Sequence, residues 1–321
     1  MKYGKIIGTG KYLPDKILTN TELEQMVETN HEWIFSRTGI KERRIANDQT
    51  SYELAILAAE DALESSKLNP ENIELIIVAT MTAEYATPAI ACLVQKAIGA
   101  KNALAFDLNA ACSGFIFALH TANQFMISGT YKNALIIGSE KLSNIVNWED
   151  RNTCVLFGDG AGAVVLEASE QPGIIETICQ SVGDDYTSLT AGINRIKTPF
   201  PNTDVENNFI QMDGREVFEF ACTKVPQCIE DVLVKANIEK SEVDYFILHQ
   251  ANIRIINRVA KKLDQNIEKF YTNIDSYGNT SSASIGIALD EMYRSGNLKD
   301  KKVVLSGFGA GLTYGASIIQ F

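Results

Sequence analysis

Long apolar runs are the first thing missing. Nowhere in the 321 residues does an uninterrupted apolar stretch reach the length of about eighteen that a membrane-spanning helix needs. The opening residues MKYGKIIGTG lack a long apolar core and a small-residue cleavage site, which argues against a secretory signal. Cysteine is scarce: six are present, with no CxxC pair and no clustering with the three histidines. A disulfide framework and a zinc site are both excluded as readings of that pattern. Reduced thiols in a cytoplasmic protein are expected instead, mostly buried as small hydrophobes, with at most one needing a chemical explanation. Positive charge is short as well. Twenty-nine Lys and Arg against forty Asp and Glu give a net charge of -11, which argues against a general affinity for nucleic acid or an anionic membrane. A local basic patch can still attract an acidic partner, because distant surface charge is screened over a Debye length of about 8–10 Å. Low-complexity segments and flexible linkers are also missing.

What is present is an α/β alternation, in a chain that is 45% hydrophobic and 21% charged. Ile73–Thr80 reads as a buried strand, Ala89–Ile98 as a helix, Ala103–Leu108 as a strand, Ser113–Ile127 as a helix and Ala134–Gly138 as a strand. The second half repeats the order, with strands at Val243–Gln250, Phe270–Ile274 and Val303–Gly307 and helices at Arg254–Leu263 and Ser282–Tyr293. Matching positions (Val78 and Leu248, Asp107 and Asp275, Gly138 and Gly307) are each separated by roughly 170 residues, a sign of duplication. The expected halves are residues 1–170 and 171–321. On this reading Cys112 and Asn279 occupy corresponding turns between a strand and the following helix.

Three residues stand out chemically. Cys112, in FDLNAACSGFIFAL, lies at a tight strand-to-helix turn. A thiol there faces unpaired N–H groups and the positive end of the helix dipole, so a lowered pKa is expected. His249, in ILHQAN, ends a strongly apolar strand, the usual place for a catalytic group in an α/β sheet. His120 reads as a structural residue inside a helix and His31 as solvent-facing. Asn279, in YGNTSSAS, reads as an ordinary turn residue when taken alone, but its amide can donate to a developing oxyanion. The glycine-rich segment GFGAGLTYG (Gly307–Gly315) lets backbone N–H groups approach a substrate. Two other glycine patterns lead nowhere. Gly8 and Gly10 lack the third glycine and the helix of a dinucleotide site, and GDGAGA at Gly158–Ala163 lacks a phosphate-loop lysine and reads as a tight turn.

The motifs AACSGF, HQAN, YGNTSSAS, FGDGAGA and GFGAGLTYG, in that order, resemble the β-ketoacyl-[acyl-carrier-protein] synthase III family of the thiolase superfamily. The likeness runs from EWIFSRTGIKERR at Glu32–Arg44 to the last strand. It implies a thiolase-like fold of two βαβαβαββ halves in a five-layered αβαβα core, and a homodimer. It also implies that Cys112 is acylated from acyl-CoA and that His249 and Asn279 stabilise the enolate formed as malonyl-carrier protein loses carbon dioxide. Backbone N–H groups of Cys112 and Ala310 would form the oxyanion hole, and Trp33, Arg37 and Arg151 would hold the CoA nucleotide. No metal or redox cofactor is implied. Arg254, Arg258, Lys261 and Lys262 share one helix face, suited to docking the acidic carrier protein. Two departures stand out: Ala310 replaces a glycine of many relatives, and Thr87 stands where several acetyl-using relatives carry a phenylalanine, suggesting room for a longer or branched primer.

Rival readings are a specialised synthase of the same superfamily making a quinolone, resorcinol or polyketide, a non-catalytic acyl-binding relative, and a cysteine hydrolase with Cys, His and Asn in the same chain order. The duplicated halves and the missing CGSCW segment count against the hydrolase, and an intact triad against the non-catalytic relative.

Overall fold

A computed structural model describes residues 3–183, 188–192 and 209–321. Its first sheet contains β1 (Tyr3–Tyr12), β2 (Leu75–Ala79), β3 (Leu104–Leu108), β4 (Asn133–Glu140) and β5 (Gly160–Ser169). The second contains β6 (Ile174–Ser181), β7 (Tyr245–Leu248), β8 (Phe270–Tyr271), β9 (Lys302–Gly309) and β10 (Thr313–Gln320). Strand order is β3-β2-β4-β5-β1 in one sheet and β8-β7-β9-β10-β6 in the other. The pairing senses match as well. β2 is parallel to β3 and β4, and β7 to β8 and β9, while the remaining neighbours are antiparallel. Two sheets with one topology are what a duplicated chain produces.

Helices complete the layers. Helix α1 (His31–Thr38) lies outside them; α2 (Ser51–Ser66) and α3 (Ile90–Ile98) cover the outer face of the first sheet. Helix α4 (Gly114–Ile127) fills the space between the sheets, α5 (Gly214–Ala236) and α6 (Ile253–Leu263) cover the second sheet, and α7 (Ala283–Arg294) joins α4 in the centre. Sequence explains the assignment. GFIFALHTANQFMI is apolar on nearly every side, as a helix between two sheets must be. IRIINRVAKKL instead separates buried Ile255, Ile256, Val259, Ala260 and Leu263 from an exposed basic face. The LIIVA run of β2 is buried throughout, as expected for a parallel strand covered on both faces.

Gly8 and Gly10 lie inside β1 rather than after a strand. A Cβ on Gly10 would come within 2.2 Å of the Ala62 nitrogen, so these glycines let α2 seat closely on the sheet. The expected tight turn at GDGAGA is mostly strand, since β5 begins at Gly160. The expected strand at Phe270–Ile274 shortens to Phe270–Tyr271, and a short helix at Ile274–Tyr277 takes over. No helix among the described residues is long and apolar enough to cross a membrane.

Candidate active site

Cys112 belongs to the single 3-10 turn Ala111–Ser113 between β3 and the first residue of α4. That turn depends on Ala111 in the left-handed region, at φ 46°. It is pressed from behind by β9, where a Cβ on Gly309 would lie 2.6 Å from the Cys112 nitrogen. His249 follows β7 directly, its backbone N–H donating to the Ser306 carbonyl at 2.8 Å. Asn279 is held by the segment before β5. Its N–H donates to the Leu156 carbonyl at 2.9 Å, and its own carbonyl accepts from the Gly158 N–H at 3.0 Å. The FGDG glycine therefore serves to dock Asn279, a task its sequence did not advertise.

These three side chains and Ala310 line one cavity with mostly apolar walls, among them Leu142, Phe157, Ile210 and Phe308. His249 and Asn279 are both buried and both anchored on one side. The Asn279 Oδ1 accepts from the Ser281 N–H at 2.8 Å, and the His249 Nδ1 lies 2.7 Å from the Ser284 Oγ. The side-chain hydrogen bonds of the two residues among the described residues run through the Asn279 Oδ1 and the His249 Nδ1, which leaves the Asn279 Nδ2 and the other ring nitrogen of His249 for the cavity that both residues line. The site thus offers two side-chain nitrogens to whatever enters it. Phe308 stands edge-on to the imidazole, ring centroids 5.3 Å apart.

Electrostatics follow burial. Loss of hydration pushes the Cys112 thiol up to about 12, with nearby Glu140 adding to the rise and the Ser281 hydroxyl opposing it. The expectation of a lowered thiol pKa is therefore corrected. A helix end contributes up to about 2 kcal/mol to an anion, less than removing a thiolate from water costs in so enclosed a place. Burial likewise pulls His249 down to about 3, so the imidazole is neutral at physiological pH. Glu140 is fully buried and its carboxyl is raised, again by burial. It receives the Thr82 hydroxyl at 2.7 Å, the Ser282 hydroxyl at 2.9 Å and the Ser281 hydroxyl at 3.1 Å, so one carboxyl ties the first half to the turn after Asn279.

Another correction concerns the duplication. Ser281 has φ 49°, the rare conformation of Ala111, and the two turns are closed alike, the Ser113 N–H donating to the Ala110 carbonyl at 3.2 Å and the Ala283 N–H to the Thr280 carbonyl at 3.1 Å. The counterpart of Cys112 is therefore Ser282; Asn279 lies three residues earlier in its own turn.

The other candidates fall outside the cavity. Trp33 and Arg37 share α1, where the Arg37 guanidinium lies 4.6 Å from the indole centroid and that of Arg151 lies 4.9 Å from it. Asn252, which lines the cavity, donates to the Arg37 carbonyl at 3.0 Å and so joins this cluster to the cavity mouth. Arg254, Arg258, Lys261 and Lys262 are exposed along α6 and border a cleft against α5, with Arg254 5.5 Å from the Phe218 ring. Phe218 lines the cavity too, so the basic face adjoins it. Thr87 is exposed and does not line the cavity of its own chain. Sequence reasoning missed Glu140, Ser281, Ser284 and Phe308. The serine-rich TSSAS was the one visible signal, but it does not say which hydroxyl meets which partner.

A duplicated five-layer α/β core, with a cysteine, a histidine and an asparagine converging at its strand ends, defines a condensing enzyme of the thiolase fold. The family model of 3-oxoacyl-[acyl-carrier-protein (ACP)] synthase III matches residues 106–183, and its C-terminal counterpart matches residues 233–321. The chain belongs to this β-ketoacyl-[acyl-carrier-protein] synthase III family. It is 48% identical over 319 residues to the synthase III of Clostridium acetobutylicum, covering 99% of this chain and 98% of that one. It is 49% identical over 321 residues to the Streptococcus suis synthase III, covering 99% of each. The crystal structure of the synthase III from Aquifex aeolicus matches with a TM-score of 0.93 at 47% identity, over 99% of this chain and 100% of that one. The chain is an acyltransferase of this class, whose reaction initiates fatty acid synthesis by condensing an acyl-CoA primer with malonyl-[acyl-carrier-protein].

Proposed function

We propose that Cys112 is the nucleophile and that His249 and Asn279 are the paired donors of this condensation. The observation that carries the assignment is their convergence on one cavity, with the far side of each donor residue already engaged by protein. In loading, the Cys112 sulfur bonds to the acyl carbon, the bond to the CoA sulfur breaks, and the thiol proton leaves with CoA as its free thiol. Malonyl-carrier protein then enters. As its terminal carboxylate departs as carbon dioxide, the released electron pair moves into the thioester, and the enolate oxygen rests on the two side-chain N–H groups. The enolate carbon attacks the acyl-cysteine, whose oxyanion is held by the backbone N–H groups of Cys112 and Ala310. Collapse returns the Cys112 thiolate, which takes up a proton. Decarboxylation supplies the carbanion, so the scheme calls for no metal or redox cofactor. Equimolar formation of CoA, carbon dioxide and β-ketoacyl-carrier protein tests it. A free ketide, quinolone or resorcinol released instead would favour the specialised-synthase reading.

Two surfaces serve the two substrates. Trp33 between Arg37 and Arg151 forms a cationic, aromatic platform suited to an adenine nucleotide, while the α6 face suits an acidic protein. Charge reversal at Arg254 is expected to raise KM for malonyl-carrier protein several-fold and leave acyl-CoA loading unchanged; Trp33→Ala is expected to do the reverse. Steady-state kinetics with each substrate varied in turn decides, and a uniform effect of either change on both substrates would remove the distinction.

A homodimer is supported by β3. It is a sheet edge reading LAFDL, with Leu104 47% exposed, and an uncovered apolar edge invites a second strand. Asp107 on β3 accepts from the Ile90 and Ala91 N–H groups at 2.7 and 2.8 Å, so the loop carrying Thr87 belongs to the same edge. Thr87 then acts on primer choice through the cavity of a second copy. Leu104→Asp is expected to yield monomers in sedimentation, and an unchanged dimer would place the interface elsewhere.

A further inference from the structure

The assignment of His249 as a donor leaves open which ring nitrogen carries its proton. That choice decides the chemistry, because a neutral imidazole presents either an N–H or a lone pair to the cavity. A lone pair would repel the enolate oxygen it is meant to hold.

The hydrogen-bond count around Ser284 answers the question. Ser284 is the second residue of α7 and is buried at 2% exposure. Its Oγ accepts from the Gln250 N–H at 3.3 Å and lies 2.7 Å from the His249 Nδ1. Among the described residues the hydroxyl has no other partner, and therefore no acceptor for its own proton except Nδ1. Were Nδ1 protonated instead, the serine would accept twice and its O–H would be buried without an acceptor, at a cost of about 1–3 kcal/mol. The serine is itself well fixed. Its backbone N–H donates to the Ser281 carbonyl at 3.2 Å, in the turn whose Ser281 N–H also anchors the Asn279 Oδ1.

We propose that Ser284 is a positioning residue that donates to the His249 Nδ1, fixes the neutral Nε2–H tautomer, and so turns an N–H toward the cavity beside the Asn279 amide. The proposal deepens the reading of His249 given above and rests on it for its catalytic meaning. Two uncharged N–H donors suit the substrate. They stabilise an oxygen that gains charge as the reaction proceeds, whereas an imidazolium would also attract the departing carboxylate and hold it in the ground state. The carboxyl group finds no such cation in the apolar surroundings of Phe308 and its neighbours.

The test is nitrogen NMR of the full-length protein labelled with 15N-histidine. Only three histidines are present, so signals of His31 and His120 are identified by their loss in His31→Gln and His120→Gln. The expected result is a single neutral tautomer at His249, protonated on Nε2 at pH 7.5, that becomes a mixture in Ser284→Ala. In the same variant malonyl decarboxylation should fall about tenfold, less than the 10²–10³ for removing a donor outright, with acylation of Cys112 unchanged. A proton on Nδ1, or on both nitrogens, in the wild-type protein overturns the proposal, and this measurement does not depend on how the variant folds. A wild-type tautomer as expected, together with full decarboxylation in His249→Ala, would instead sink the donor role of His249 and leave the tautomer assignment standing.

Discussion

Cys112→Ala will form no acyl adduct with any acyl-CoA, and its condensation rate will fall by about 10⁴-fold or more, the scale of losing a covalent nucleophile. The substitution removes one sulfur from a buried turn and breaks no hydrogen bond that builds the fold, so the protein should remain folded. Malonyl decarboxylation should survive, because His249 and Asn279 are untouched. Intact-mass spectrometry after incubation with acyl-CoA thioesters of increasing length checks the result, and the same spectra of the wild type rank the primers. An adduct persisting in the variant would mean that another residue is acylated. Strict preference for acetyl would remove the role given to Thr87. The raised thiol pKa sharpens the expectation: in the resting enzyme the thiol is protonated, so loading should follow thioester binding rather than a standing thiolate.

The second large effect divides the reaction at its midpoint. His249→Ala and Asn279→Asp should each lower condensation by about 10²–10³-fold, the usual consequence of deleting one oxyanion donor, while Cys112 still loads. Aspartate is the informative replacement at 279. It keeps an oxygen to accept the Ser281 N–H at the position now 2.8 Å away, preserving the turn, but puts a second oxygen where the amide donated. The double variant should be little worse than either single one if the two donors hold one oxygen together. Loading and discharge of the acyl-enzyme, followed separately by rapid-quench mass spectrometry, decide the matter. Loss of loading in either variant would assign these residues to activation of the thiol.

Much of this was legible in the chain, and the reasons are local. Strands such as LIIVA and helices such as IRIINRVAKKL announce themselves through period and burial, and Cys112 and His249 follow strand ends, where α/β proteins place their chemistry, while Asn279 follows the short helix Ile274–Tyr277. What escaped depends on distant partners. Helix-end geometry around Cys112 is visible in CSGF, but the dryness that outweighs it comes from β9 and the Ser281 turn, some 170 to 200 residues away. Gly158 looked like a turn former because its neighbour Asn279 is remote in sequence. Glu140 ends an apolar strand and resembles a surface charge until Ser281 and Ser282 arrive from the other half to cover it. At Phe270–Ile274 only two residues find a ladder partner in β7, so the pattern persists where the strand does not.

The left-handed residue before each central helix has a consequence for stoichiometry. Each chain contains the same elbow twice, at Ala111 and at Ser281. In one the following residue is a thiol that lines the cavity. In the other it is Ser282, turned inward to the Glu140 carboxyl and the Ala79 carbonyl and sealed from solvent. The elbow is thus repeated in backbone and broken in chemistry: on the roles proposed above, one half supplies the acyl anchor and its twin the groups that receive the second substrate, so that neither half alone would be a catalyst. A single chain turns over one primer at a time, and two anchors working together require two chains.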